Sequence, residues 1–490
     1  MIRPSVFRAA LALLFAPLVF AQEKPSPVPV LTLQECVDRA LNKNFDLQIQ
    51  RFSTLNAHDD VISADAGYDP TFVLGASRAG SKNDNASPPT TSQQDQARFG
   101  VTQRIVTGAT VTASTALDRS KENPYSAPPL YNPVYNSDLA LSIKQPLLQG
   151  AGITLNRAAI ARAKLGVTLA NYNFKGVVLN VVRNVEGAYY ALAFAREQLA
   201  VYQFSLEVAQ KLLDENESRR KTGVATDLEV LQSQVGVANA RRNILLAQQT
   251  VRDNEDALLQ LIGQFEFSSP LGAVRLPDDP VPEVSFDHSY ALALVNQPDY
   301  AAGKVFADQL KLDAAVAKNN RLPSLDLGGA LGYNSKDAVS YGSAARNVWS
   351  GDSYNWQVDL TLTFPWGLRA ERARYRQAMN TLDRQESSLR QLDQSILAQV
   401  RSAVRSVDTN RETVKISTLS TQLGEKQFAF EKARYEAGLS TFRFVQQSQA
   451  DLDTARVNEL QARVNLRLSL ADLARLEASS LDRYKIKLEE

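Results

Sequence analysis

The chain has 490 residues but only one cysteine and two histidines. A lone thiol, Cys36, excludes a disulfide within one chain. His58 and His288 lie far apart in sequence and do not form a metal-ligand pair. No G-x-S-x-G elbow accompanies them, so the groups a hydrolase needs are missing. We therefore expect no enzyme activity, no cofactor and no metal. An excess of one charge is also lacking: 54 basic residues face 53 acidic ones, a formal net charge of +1. A nucleic-acid partner would call for a basic surface, and none is expected. Beyond the N-terminal segment no apolar run reaches the length of a membrane-spanning helix. If this chain crosses a membrane, it does so as a closed β-barrel, which leaves no backbone group unpaired in lipid.

Proline is absent over two long stretches, from Leu147 to Ser269 and from Trp366 to Glu490; all 20 prolines lie elsewhere. Within these stretches apolar residues recur at spacings of three and four. Leu389, Leu392, Ile396, Val400, Val404 and Val407 form one stripe; Val457, Leu460, Val464, Leu468 and Ala471 form another. That spacing is the coiled-coil signature. The pattern predicts helices from about Leu155 to Lys221 and from about Leu368 to Ala437, each roughly 100 Å long at 1.5 Å per residue. Gly223 and Gly438 end them, since glycine suits the left-handed conformation that closes a helix. Return helices follow, about Thr226 to Ile262 and Thr441 to Ala478. Thr226 and Glu229 have the T-x-x-E spacing of a capping box. Thr441 can cap its helix, but Phe444 occupies the box position. Shorter helices, about Thr32 to Ala64 and Ser285 to Ala317, have the length to stack on the return helices and match the long ones.

The sequence repeats itself. Thr32, Ala40, Leu41, Asp46, Pro70 and Gly75 recur 253 positions later as Ser285, Ala293, Leu294, Asp299, Pro323 and Gly328. Arg219, Gly223, Thr226, Val230 and Gln232 recur 215 positions later as Arg434, Gly438, Thr441, Val445 and Gln447. Two copies are expected, residues 22–270 and 271–490, each running short helix, strands, long helix, glycine turn, return helix. A two-fold internal repeat suits a symmetric assembly. The fall in offset from 253 to 215 leaves the first copy 38 residues longer. That is the size of one extra hairpin, expected between Arg98 and Ser137. Residues 1–21 resemble a secretory leader: Arg3 and Arg8 precede the apolar run Ala9 to Phe20, and Val19-Phe20-Ala21 has the small-residue cleavage pattern.

Tyr354 to Phe364 alternates cleanly. Tyr354, Trp356, Val358, Leu360, Leu362 and Phe364 share one face, while Asn355, Gln357, Asp359, Thr361 and Thr363 share the other. Period two with one apolar face is a strand covered on one side. All three tryptophans, Trp349, Trp356 and Trp366, fall in or beside it. Trp356 and Trp366 are ten residues apart on the same face. At barrel tilt that matches roughly the 25 Å band between aromatic girdles. Weaker alternation marks further strands at Phe72–Ala76, Phe99–Ile105, Val111–Leu117, Leu139–Ile143 and Leu325–Tyr333. The polar stretches Gly80–Gln96, Arg119–Asn136 and Asn334–Ser353 read as outer loops.

L-T-L-Q-E-C-V-D-R-A-L from Leu31, R-L-P-S-L-D-L from Arg321, K-Q-P-L-L-Q-G from Lys144, R-R-K-T-G-V-A-T-D-L-E-V-L and A-R-Y-E-A-G-L-S-T-F-R-F-V occur in an order that resembles TolC-type outer-membrane efflux proteins. The resemblance covers nearly the whole chain after the leader. It implies a mixed α and β fold: a trimeric transmembrane β-barrel continued by an antiparallel α-helical coiled-coil tunnel. It also implies a homotrimer in outer-membrane lipid with its helices in the periplasm, meeting a periplasmic adaptor protein and an inner-membrane pump. Four strands from each of three chains would give a barrel of about twelve. The sequence departs from many relatives past the second glycine turn, where acidic residues narrow the tunnel to a gate. Here Arg443, Phe444 and Gln447 stand, with Glu229 in the first copy, and these four are the gate candidates. An aromatic and polar constriction is expected, unless Phe444 packs between helices. Arg219, Arg220, Gly223, Thr226, Arg434, Gly438 and Thr441 are the candidate adaptor contacts at the helix tips. The competing expectation is a non-conducting coiled-coil tether or an adaptor. The alternating strand speaks against a tether, and two helical hairpins rather than one speak against an adaptor.

Overall fold

The computed structural model describes residues 30–123, 132–263, 271–277, 280, 282–337 and 339–487. The leader expected over residues 1–21 lies outside them, as does the middle of the expected loop 119–136. Helices α1 (Leu33–Lys43) and α2 (Phe45–Asp65) lead into strands β1 (Thr71–Asn83), β2 (Thr90–Arg104), β3 (Thr110–Asn123) and β4 (Val134–Pro146). A short α3 (Ile153–Asn156) precedes α4 (Ala158–Lys221), which returns as α5 (Asp227–Leu261). Then come α6 (Phe286–Asn296), α7 (Pro298–Asn319), β5 (Ser324–Asp337), α8 (Tyr341–Asn347) and β6 (Tyr354–Thr363). The chain closes with α9 (Arg369–Glu436), its return α10 (Phe442–Glu477) and α11 (Ser480–Arg483). The long helices α4 and α9 have 64 and 68 residues, about 100 Å each.

Each expected short helix is in fact a broken pair. Asn44 leaves the helical region (φ −66°, ψ 130°), and its side chain accepts from the backbone N–H groups of Asp46 and Leu47, ending α1 and capping α2. Its Nδ2 donates to the Leu261 carbonyl at 3.0 Å, so the end of α5 abuts this break. Gln297 is displaced in the same way (φ −67°, ψ 121°), because it precedes Pro298 at the first turn of α7. The end of α5 thus meets the start of α2, and both pack along α4, which is the expected end-to-end stacking in the first copy.

The helical core lies in two main clusters. In the first, Cys36 and Val37 of α1 meet Val182, Val185 and Leu192 of α4 and Leu258 of α5. In the second, Ile396, Val400, Val404 and Val407 of α9 meet Leu470 and Leu473 of α10. The α9 stripe expected from sequence is therefore partly this core. The α10 stripe is one of two buried faces. Val464 and Leu468 pack into the first cluster, while Leu466 and Leu470 pack into the second. Helix α10 runs between α4 and α9 and buries two faces. Burial pushes the Cys36 thiol up to about 12, which leaves it inert.

Among the described residues the strands form one six-stranded antiparallel sheet in the order β1-β2-β3-β4-β5-β6. That is two strands more than the four the resemblance implies, and the surplus is the extra hairpin expected in the longer first copy. The extra hairpin is β2 with β3, and it starts at Thr90, before the expected window opens at Arg98. Much of the expected loops is strand as well. Gly80 pairs with Gln93, Thr91 with Asn123, and Tyr135 with Asp337. A sheet ladder uses backbone groups, so polar side chains do not end it where the apolar face stops.

Side-chain alternation gives the sheet two different faces. Phe72, Val101, Ala113, Leu141, Leu331 and Trp356 are register partners across all six strands. One residue along, the row reads Thr71, Thr102, Thr112, Ser142, Ala330 and Gln357. Successive residues point to opposite faces, so one face is apolar and the other polar and small. Among the described residues β1 and β6 each pair on one side only. Every residue of β6 is exposed.

Candidate functional site

The helix tips are built the same way. Gly223 and Gly438 take the left-handed conformation (φ +75° and +76°). The next N–H folds back in each case: Val224 donates to the Arg219 carbonyl at 2.9 Å, and Leu439 to the Arg434 carbonyl at 2.8 Å. These bonds occupy carbonyls that a helix end leaves free. The caps beyond the turns differ. Thr226 and Glu229 form the full capping box: the Thr226 N–H donates to Glu229 Oε2 at 2.7 Å and the Glu229 N–H to Thr226 Oγ1 at 3.3 Å. Thr441 sits at the matching position but makes no side-chain cap bond. Its expected capping role reduces to backbone geometry.

The two tips pack against each other. The Arg219 guanidinium lies 4.5 Å from the centre of the Tyr435 ring. Tyr435 Oη donates to Asn216 Oδ1 at 2.6 Å, and Asn216 Nδ2 donates to Ser233 Oγ at 2.8 Å. This chain is buried beside Leu212, Phe442 and Val445. A buried polar chain with every link made favours one arrangement of the hairpins over others. Lys432 and Glu215 reach across at 3.4 Å. Burial raises the Tyr435 hydroxyl above its ordinary range, helped by the charge of Glu229. It is a donor at all working pH values.

Most of the tip cations are engaged. Arg220 pairs with Asp227 at 3.1 Å, and Arg434 pairs with Glu431 at 2.9 Å. The residues the tips present outward are instead apolar: Val224 is 65% exposed and Leu439 71% exposed. Sequence reasoning missed this pair. The signal was there, because both follow a turn glycine at matching positions of the two copies.

Among the gate candidates, Glu229 is occupied by its capping box. Phe444 is 59% exposed, whereas Phe442, two residues earlier, is 2% exposed. Phe442 thus fills the interhelical position, and the chain's own helices leave Phe444 uncovered. Gln447 donates to Asp451 Oδ1 at 2.9 Å. Phe444, Gln447 and Asp451 follow helical spacing on one stripe of α10, so a carboxylate unnoticed in the sequence joins the face. Arg443 is exposed beside them.

The tryptophans are all exposed but do not form one ladder. Only Trp356 lies in β6; Trp349 belongs to a 3-10 turn at Val348–Ser350. Trp366 stands past the strand, where Pro365 has no N–H for the ladder and Gly367 (φ +85°) and Leu368 (φ +49°) turn the chain into α9. The ten-residue interval from Trp356 to Trp366 is therefore not a distance along one strand. Among the described residues no helix is long and apolar enough to cross a membrane, and no group of three or more histidine, cysteine or acidic residues is placed to hold a metal ion.

Residues 110–264 and 289–478 match the family described as outer membrane efflux protein. The pyoverdine export outer membrane protein OpmQ of Pseudomonas aeruginosa is 28% identical over 338 residues, which are 66% of this chain and 64% of that one. Protein CyaE of Bordetella pertussis is 25% identical over 337 residues, 66% and 68% of the two chains. The chain spans about two thirds of the length of the curated relatives it matches. Among solved structures, the CmeC outer membrane channel of Campylobacter jejuni superposes with a TM-score of 0.67 at 17% identity, over 96% of this chain and 95% of that one. The outer membrane protein VceC of Vibrio cholerae gives 0.66 at 15% identity, over 91% and 95%. At these identities the structures establish a shared mixed α and β fold.

Proposed function

Because this chain belongs to the outer membrane efflux protein family, we propose that three copies of it form a passive export duct. Its place is the outer membrane. The observation that carries the proposal is the sheet: six strands with an apolar face, a polar face and two unpaired edges. An open sheet edge does not survive in lipid, so β1 of one copy must pair with β6 of the next. Three sheets of six strands then close a barrel of eighteen, within the range of outer-membrane barrels. The polar face lines the lumen and the apolar face meets lipid. The two helical hairpins of each copy, read as the repeats 22–270 and 271–490 after a leader at 1–21, supply the wall of a periplasmic tunnel. The tips at Gly223 and Gly438 dock a periplasmic adaptor, which links the duct to an inner-membrane pump. Arg219, Arg220, Thr226, Arg434 and Thr441 shape these tips, and Val224 and Leu439 give the adaptor an apolar contact. Phe444, Gln447 and Arg443 form the constriction at the closed end, with Asp451 one turn further in. A tether needs no sheet with an apolar face, so we do not favour that alternative.

Single-channel recording in planar bilayers tests the duct. A steady conductance is expected, and its absence from folded, inserted protein would reject the proposal. Phe444→Ala should raise that conductance; an unchanged value would remove Phe444 from the constriction. Replacing Gly223 and Gly438 by tryptophan should abolish export in cells while leaving assembly intact. No atom lies within 4 Å of a Cβ at either position, so the change acts on tip shape and not on the core.

A further inference from the structure

Helix α8 and the 3-10 turn after it fold back onto the apolar face of the sheet. Tyr341 of α8 meets Tyr135 of β4 edge-on, with ring centres 4.8 Å apart, and Asn347 donates to Asp337 of β5 at 3.1 Å. Ala344 and Val348 are buried against the strands. A cleft of about 270 Å³ remains between this segment and the sheet. Its walls are mainly apolar, from Leu74, Phe99, Leu117, Leu139, Val348 and Trp349. The Trp349 ring stays largely exposed at its mouth.

A charged row borders the cleft on the same face. Ala76, Ala97, Leu117 and Ser137 are register partners; two residues along, on the same face, the partners are Arg78, Asp95, Arg119 and Tyr135. One carboxylate serves two guanidinium groups there: Arg119 Nη1 is 3.0 Å and Arg78 Nε 3.1 Å from Asp95. Lys121 follows Arg119 on that face. Positive charge is in excess where the apolar band ends. This edge is the end of the sheet remote from the helices, so it lies at the outer leaflet if the helices are periplasmic.

We propose that the cleft between α8 and the outer face of β1–β4 binds one lipid of the outer leaflet, with an acyl chain along Leu74, Phe99 and Leu117 and an anionic phosphate headgroup at Arg78 and Arg119. The proposal rests on the duct reading, in which the apolar face meets lipid. The occupant follows from the pairing of features: an acyl-lined cleft alone would accept any chain, and the cationic row beside it selects an anionic head. Tryptophan at an interface, with an apolar body and a polar N–H, suits the mouth of such a site.

Tryptophan quenching by brominated lipid tests it. The probe lipids are phosphatidylglycerol and phosphatidylcholine with brominated chains, each added as a minor component to unlabelled phosphatidylcholine vesicles. A variant keeping only Trp349 (W356F/W366F) should be quenched at least twofold more by the brominated phosphatidylglycerol. Adding Arg78→Gln should erase that preference; Arg78 is the exposed partner of Asp95, so Arg119 still holds the pair. Equal quenching by the two lipids would overturn the site. A second variant keeping only Trp356 (W349F/W366F) should be quenched equally by both. No quenching of Trp356 would overturn the membrane-facing assignment itself, and the site with it. Native mass spectrometry of the unsubstituted protein needs no variant: retained phosphatidylglycerol in preference to phosphatidylcholine is expected, and no preference contradicts the proposal.

Discussion

The helical region and the sheet are stabilised in opposite ways. The helices bury their apolar residues inside one chain: Ile396, Val400 and Val407 of α9 are fully covered by neighbours from the same copy. The sheet does not. β6 is exposed along its whole length, and Phe72, Leu74, Trp356 and Leu360 stay largely exposed on the apolar face. The helical part is held by its own contacts, while the sheet leaves its apolar face and the edges at β1 and β6 open among the described residues, which is what the proposed assembly would cover. Coiled-coil seams are local, while a barrel is a property of the assembly.

That contrast predicts graded effects. The largest is in the helical core. Ile396→Asp buries a charge without a partner and should cost several kcal/mol, enough to lose the folded chain; urea unfolding followed by circular dichroism measures it. Leu360→Arg on the apolar face of β6 should leave the helical signal intact yet cost about 2–4 kcal/mol in membrane assembly. Normal insertion of that variant would break the contrast, because the face would then not meet lipid. Next come the caps. Thr226→Ala removes the Oγ1 acceptor of the Glu229 N–H, leaves the backbone bond to Glu229 Oε2, and should cost about 1 kcal/mol, whereas Thr441→Ala removes no side-chain cap bond and should cost little. Equal losses in thermal melts would show that the two tips are alike after all.

The smallest effect concerns Glu186 on α4, which is 1% exposed. Tyr484 Oη donates to its Oε1 at 2.6 Å, holding the segment after α11 against α4. Arg483 lies 3.8 Å away, and the Arg183–Asp472 pair and Tyr190 also bear on it. Burial raises the Glu186 carboxyl above its ordinary range, against the pull of Tyr484 and the arginines. The folded chain then holds this proton more tightly than the unfolded one, so stability from Glu186 falls as pH rises from the ordinary carboxylate range through the raised value. Glu186→Gln should flatten that part of the pH profile of the melting temperature. A slope unchanged in the variant would assign it to other groups.

The helices were legible because their signals are local. Proline-free stretches, spacing of three and four, and the glycines at 223 and 438 each act within a few residues. The strand at Trp356 was legible for the same reason, through its alternation. The break at Asn44 was not, because asparagine there caps one helix while reaching the end of α5, which is more than 200 positions away in sequence. Gly80–Asn83 and Thr90–Gln96 read as loop from their polar content, yet they pair with each other as strands. What makes them strands is a partner, and composition does not show partners. The same holds for the candidate site. The tip glycines and the Thr226 box were visible, but Asn216, Tyr435 and Ser233 meet only once two hairpins pack. Asp451 joins Gln447 within one helix turn, but nothing in its local sequence sets it apart from the other acidic residues of α10.

The most direct test of the account is the native mass of the protein extracted from outer membranes in mild detergent. The account predicts three chains per particle, since only pooled strands can close the edges at β1 and β6. A particle of one or two chains in every detergent tried would leave those edges open and contradict it.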